Sequence, residues 1–399
     1  MSVLKHRSIA VSVYFVLWCL YNLQGVLYAA GGAVSRLLLL IILLWSFVIM
    51  YKVNIGKHQL PGFLKAVNVF LIFATLYGSL LVIGGEDLYI TEGHANIKVP
   101  NFGYLKQIYM SLLPIYVYYY YTVKRQLAVR NILYFTIIIL GILIIKYFDN
   151  RAELLQQMMN SDGFTMNIGY DFLALLPLLV FWNKRPSIQF CLLIISTLFI
   201  IMCMKRGAIL IATICFIYFL YNAIINTHAK KRIDVLLFSL CAILTATYFI
   251  VDMVNSNDYF AYRIEKTLAG DSSNRDILYS TYWNHFLSET NFLRFFFGNG
   301  ANATLKIGMN YAHNDWLELL INNGILGVFI YVFYFISLYK DAIVARRTDS
   351  GHYAVILLAF IILFCSSMFS MSYASINIAL TIALGFSLGS VQIMRLRNQ

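Results

Sequence analysis

Apolar runs long enough to cross a bilayer follow one another from one end of this chain to the other. "LLLLIILLWSFVIM", Leu37 to Met50, and "ILGVFIYVFYFISLY", Ile325 to Tyr339, are two of them. Each run has to cover roughly 30 Å of hydrocarbon, where only helices or closed barrels satisfy the backbone N–H and C=O groups. Runs this long and this continuous specify helices. At 60% hydrophobic and 12% charged, with a mean hydropathy of +0.73, the chain lies outside the range of a soluble domain. It reads as an all-α polytopic membrane protein, a single transmembrane domain over residues 1–399. About twelve transmembrane helices are expected, centred near Phe15, Leu43, Phe73, Ile115, Ile138, Leu175, Ile195, Phe216, Ala242, Val332, Leu358 and Leu380. The first run is too long for a signal peptide, and no small-residue cleavage site follows it, so it reads as a signal anchor.

Lys and Arg in short loops beside helix ends set orientation. One set of alternate segments carries 18 basic residues, among them Lys57, Arg125, Arg130, Lys184, Arg185, Lys231 and Arg346, against Asp234, Asp341 and Asp349. This set is assigned to the cytoplasm. The remaining 12 basic and 15 acidic residues fall on the other side. Both termini are then cytoplasmic, and the pI near 9.3 reports topology rather than nucleic-acid binding. The six cysteines (Cys19, Cys191, Cys203, Cys215, Cys241, Cys365) lie inside apolar runs without a CxxC. They are expected in the core, with no disulfide framework and no zinc site. "YVYYYYT", Tyr116 to Thr122, precedes Lys124 and Arg125 and reads as an aromatic belt at the cytoplasmic interface.

Three extracytoplasmic segments are long: 84–104, with Glu86, Asp87, Glu92 and His94; 148–165; and a large loop over 252–322. Only the last has room for structure of its own. Within it "NRDILYSTYWNHFL" puts Ile277, Leu278, Tyr282, Trp283 and Phe286 near one helical face, predicting a short amphipathic helix on the membrane surface or over a cavity. Lys205 and Arg206 stand between two apolar stretches at an outer helix connection. Snorkelling to headgroups explains them, but the charge rule discourages basic residues on this side, and basic residues at depth usually face a cavity or a partner. An anionic ligand is the alternative. Asn167 and Asp171, at the outer end of the sixth run, are polar enough to contact such a ligand.

"AHNDWLELLINNGILG", Ala312 to Gly327, carries His313, Asn314, Asp315 and Glu318 straight into an apolar helix. His313-Asn314, nine residues, Gly324, two residues and Gly327 resemble the periplasmic signature of the O-antigen ligase and polymerase superfamily of bacterial envelope glycan assembly. Arg206-Gly207-Ala208 resembles a stretch that opens a transmembrane helix in that family, with Lys205 where serine is common. Arg275 before the amphipathic segment and the Gly-x-Gly at Gly298–Gly300 resemble two more of its features. The resemblance covers about Asn167 to Tyr339, residues 167–339.

It implies a glycosyltransferase-C-like membrane fold in the bacterial cytoplasmic membrane, with the active site facing the periplasm. It also implies transfer of a glycan from an undecaprenyl-diphosphate carrier to an acceptor hydroxyl, without metal or cofactor. Positive charge must then meet the leaving diphosphate, for which Arg206, Arg275 and Lys205 are the candidates. His313 is the candidate general base, since its side chain titrates near neutrality. Asn314, Asp315 and Glu318 would orient the imidazole or hold acceptor hydroxyls, while Gly207, Gly324 and Gly327 are structural. Arg275 also has a plainer reading, pairing with Asp271 or Asp276.

Two acceptors remain open. A polymerase joins lipid-linked repeats; a ligase passes glycan to lipid A-core. The slightly acidic outer face favours a neutral or lipid-linked acceptor, hence a polymerase. Besides the bilayer, a flippase and a chain-length regulator are the expected partners. A lipid-linked oligosaccharide transporter is the rival class, but repeat symmetry and helices broken near the midplane are not evident in the sequence.

Overall fold

The computed structural model describes residues 9–56, 59–85, 87–92, 95–157, 166–225, 232–269, 275–308, 310–370, 372–373 and 376–397. In chain order it contains α1 (Ile9–Asn22), α2 (Ala33–Ile55), α3 (Gly62–Gly84), the strands β1 (Leu88–Glu92) and β2 (Ala95–Val99), α4 (Phe102–Val123) and α5 (Val129–Gln157). Then follow α6 (Ile168–Leu173), α7 (Leu176–Leu179), a 3₁₀ turn (Val180–Trp182), α8 (Pro186–Met202), α9 (Arg206–Ile225) and α10 (Arg232–Ser256). The large loop holds α11 (Asp258–Leu268), α12 (Arg275–Leu287), α13 (Phe292–Phe297) and α14 (Thr304–Gly308), and the chain closes with α15 (Asp315–Arg346), α16 (Ser350–Phe369) and α17 (Ile378–Arg397).

Among the described residues, eight helices are long and apolar enough to cross a membrane; Ile9–Asn22, Ile168–Trp182 and Pro186–Met202 are apolar but shorter. The protein is therefore an all-α, multi-pass membrane protein. The segment centred on Leu175 is broken into two short helices and a 3₁₀ turn. Pro177 is the cause, because it has no N–H to offer and its ring crowds the carbonyl four residues back, at Leu173.

Helix α4 occupies the centre of the bundle, against α17, α2 and α3. This overturns the interfacial-belt reading of its tyrosines: Tyr116, Tyr118, Tyr119 and Tyr121 are all buried. Their burial follows from α17, where Gly385 and Gly389 bring the two backbones together. A Cβ at Gly385 would meet the Ile115 carbonyl oxygen at 2.6 Å. The Tyr116 hydroxyl lies 2.9 Å from the Leu64 carbonyl and 2.8 Å from Asn68 Oδ1, its one proton shared between these two acceptors. A polar atom inside a bundle is tolerated when it finds such a partner. At the same end of the molecule Asp341 of α15 accepts the first two amides of α3, from Gly62 at 3.2 Å and Phe63 at 2.8 Å, and so caps that helix.

Two further expectations are corrected in part. The predicted amphipathic helix forms as α12, but its inner face is Leu278, Tyr282 and Phe286, while Ile277 and Trp283 stay exposed. Steps of four residues from Leu278 follow one helical face, and Ile277 and Trp283, one residue before Leu278 and one after Tyr282, fall off it. All six cysteines are free, but only Cys19, Cys203 and Cys215 are buried, and Cys191 and Cys241 lie on the outside of the bundle. The segment after α3 folds into an antiparallel hairpin with Leu88 opposite Val99. There Asp87 pairs with Lys98; Glu86 and His94 lie outside the described residues.

Candidate active site

One cavity of about 540 Å³ gathers charged and polar side chains from widely separated parts of the chain. Lys146 and Asn150 come from α5, Asn167, Tyr170 and Asp171 from the entry to α6, Lys205 from the α8–α9 turn, Arg275 from the start of α12 and His313 from just before α15. Ser366 and Ser370 at the end of α16, with Ser372 and Asn377 beyond it, complete the polar wall.

Local structure brings these groups together. The Met166 amide donates to the Cys203 carbonyl at 3.0 Å, tying the entry of α6 to the α8–α9 turn. Gly207 fits because its missing side chain leaves room for the Tyr170 hydroxyl, which a Cβ would meet at 2.5 Å. The end of α16 acts as a clamp. Its last carbonyls have no partner in their own helix; Phe369 accepts from Arg275 Nη1 at 2.9 Å and Met368 from Asn314 Nδ2 at 3.2 Å. One helix terminus thereby holds both the arginine and the residue next to His313.

The motif around His313 is mostly scaffold, which revises the roles expected of its polar residues. Asn314 caps α15, its Oδ1 accepting from the Trp316 and Leu317 amides at 3.0 and 3.1 Å. Asp315 is fully buried and accepts from the Ser372 amide (3.0 Å) and hydroxyl (2.6 Å), the Tyr373 amide (3.1 Å) and the Tyr331 hydroxyl (2.6 Å). Glu318, also fully buried, accepts from the Thr304 hydroxyl (2.5 Å), the Ala312 amide (2.7 Å) and the Asn322 amide group (3.0 Å). Buried carboxylates need such partners. None of these three polar residues lines the cavity.

Gly324 then breaks α15, with φ 64° and ψ −164°, a conformation open to glycine alone. The break frees the Ile321 and Asn322 carbonyls, which accept from the Asn299 and Gly300 amides at 3.0 and 2.9 Å. So the Gly-x-Gly segment and the glycine of the His motif are two halves of one joint. A Cβ on Gly324 would meet the Phe296 carbonyl at 2.5 Å, and one on Gly327 would strike Asn323. Gly324→Ala is expected to destabilise the protein by about 1–3 kcal/mol, the cost of holding a side chain in that region. An unchanged unfolding temperature in detergent would contradict this.

The residues expected from the sequence are therefore sorted. Lys205, Arg275 and His313 share the cavity, whereas Arg206 is not among its lining residues. Successive helical positions diverge by about 100°, so when α9 begins at Arg206 the neighbouring Lys205 takes the cavity position. Arg275 meets the Phe369 carbonyl; Asp271 lies outside the described residues. Lys146 and Asn150 were not anticipated, although a lysine inside "GILIIKYF" is the kind of charge that marks a pathway or site. The serines and Asn377 carry no comparable signal. Asn377 donates to Asp171 at 2.5 Å across the cavity wall.

Three basic side chains, Lys146, Lys205 and Arg275, line the cavity with one carboxylate, Asp171. His313, partly enclosed and with a left-handed backbone (φ 51°), has its pKa lowered by burial and then by Arg275 and Lys205. It is neutral at pH 7 and able to take a proton. The cavity can therefore hold a multiply charged anion beside a base. No model of a known protein family matches the chain, and no curated protein matches it significantly.

Proposed function

We propose that the protein is a membrane glycosyltransferase that polymerises a surface glycan, using undecaprenyl-diphosphate-linked oligosaccharide as donor. What carries the reading is the meeting of Lys146, Lys205 and Arg275 with a neutral His313 in one cavity. The acceptor hydroxyl oxygen bonds to the anomeric carbon of the donor, and its proton passes to His313. The bond from that carbon to the carrier phosphate oxygen breaks, the electron pair leaving with the diphosphate, whose charge the three cations neutralise. Attack from the face opposite the leaving group inverts the anomeric centre.

We read twelve crossings: the eight long apolar helices, the three shorter apolar segments, and α4, whose tyrosines lower its hydropathy. The cavity residues on α5, α6, the α8–α9 turn, the start of α12 and the approach to α15 all belong to segments that the loop charges assign to the outside. That agreement supports a cavity at the outer face of the cytoplasmic membrane with both termini inside. Purified protein in detergent, given defined lipid-linked repeats, chelator and no ion gradient, is expected to lengthen the glycan. Unchanged chain length there would favour transport instead. In cells lacking the gene, surface lipid should carry single repeats; long chains accumulating on the carrier would instead assign a ligase acting on lipid A-core.

A further inference from the structure

A second cavity, of about 890 Å³, lies at the other end of α5, among the first turns of that helix, the turn from Val180 to Arg185 and the start of α16. Arg130 and Lys146 are 16 residues apart on α5, which at about 1.5 Å per residue separates the two cavities by about 24 Å. We propose that this groove binds the phosphate headgroup of an anionic phospholipid drawn from the inner leaflet.

Its cations are Arg130, Lys184 and Arg185, all exposed at its mouth. One carboxylate stands with them, Asp349, but its side chain already accepts the His352 amide at 2.9 Å as the cap of α16. The balance favours an anion. Arg130 is set by its neighbour, donating from Nε and Nη2 to the Tyr134 hydroxyl at 3.1 and 3.0 Å. Trp182, buried, forms part of the wall.

A lipid explains the other wall. Tyr134, Ile137, Gly141 and Ile145 follow one another along a single exposed face of α5, and the first two also line the groove. In a membrane that face meets acyl chains, so a headgroup in the groove has a continuous apolar track for its tails. Basic pockets between helix ends on the cytoplasmic side suit anionic headgroups. The inference shares with the functional proposal only the orientation read from loop charges, and it requires no transfer activity.

The test is native mass spectrometry of the full-length protein in detergent with equal phosphatidylglycerol and phosphatidylcholine. The wild type is expected to retain phosphatidylglycerol severalfold over phosphatidylcholine. Each of R130Q, K184Q and R185Q should cut that ratio about fivefold, the effect of one basic residue near an anionic surface. K52Q, K65Q and R395Q each remove one cytoplasmic cation from helices that do not line the groove, and each should leave the ratio unchanged. No preference in the wild type, or an equal fall in these controls, would overturn the proposal. Displacement by millimolar inorganic phosphate would reassign the groove to a free phosphate.

Discussion

His313→Ala is expected to slow glycan transfer about 10²–10⁴-fold, the usual contribution of a positioned general base, while the lipid-linked donor still binds. The donor's charge is met by Lys146, Lys205 and Arg275, which the substitution leaves in place. The pH profile adds a second readout. Burial and the two nearby cations lower the pKa of His313, so the imidazole stays neutral and competent to pH values below the ordinary histidine range near ~6.5. The rate should hold on moving from neutral to mildly acidic pH and fall only below that range. Lys205→Gln removes one repelling charge and should move the acid limb of its residual activity upward. If His313→Ala abolishes donor binding, His313 is a ligand contact instead; a wild-type acid limb at or above the ordinary value would also remove it as the base.

The architecture was legible because its signal is repeated and local. Each of the twelve expected centres falls in a helix or, for Leu175, on the turn between two short ones. Burial inside the bundle was less legible. The tyrosines of α4 look like an interface because they precede Lys124 and Arg125, and only Gly385 and Gly389, more than 260 residues later, explain why they are inside. The His motif gave the place of the cavity but misled on the work of its parts. Asn314, Asp315, Glu318 and Gly324 are polar or permissive for structural reasons: a cap, two internal hydrogen-bond hubs and a break. Their partners, Ser372, Thr304 and the 298–300 turn, are distant in sequence and unremarkable there. The choice of Lys205 over Arg206 depends on where α9 begins, and boundaries are the part of a helix a sequence states least clearly. Lys146 was legible in principle, as a charge within an apolar run.

Arg275→Ala is expected to lower transfer by about 10²–10³-fold, the effect of removing one preorganised group from a developing anion, and, unlike His313→Ala, to weaken donor binding. The guanidinium has two claims on it. Nη1 donates to the Phe369 carbonyl at 2.9 Å, which fixes the side chain, while the residue also lines the cavity. A donor with one nitrogen engaged keeps others for the diphosphate. Arg275→Lys separates the two roles, because an ammonium can satisfy a carbonyl but cannot offer the planar fork that suits a phosphate. If Arg275 serves only to hold α12 against α16, lysine should restore activity along with thermal stability. If it grips the leaving diphosphate, stability should return while transfer recovers only partly. Arg206→Ala supplies the comparison: lying off the cavity wall, it should cost less than Arg275→Ala, and the reverse order would restore Arg206 as the main diphosphate contact.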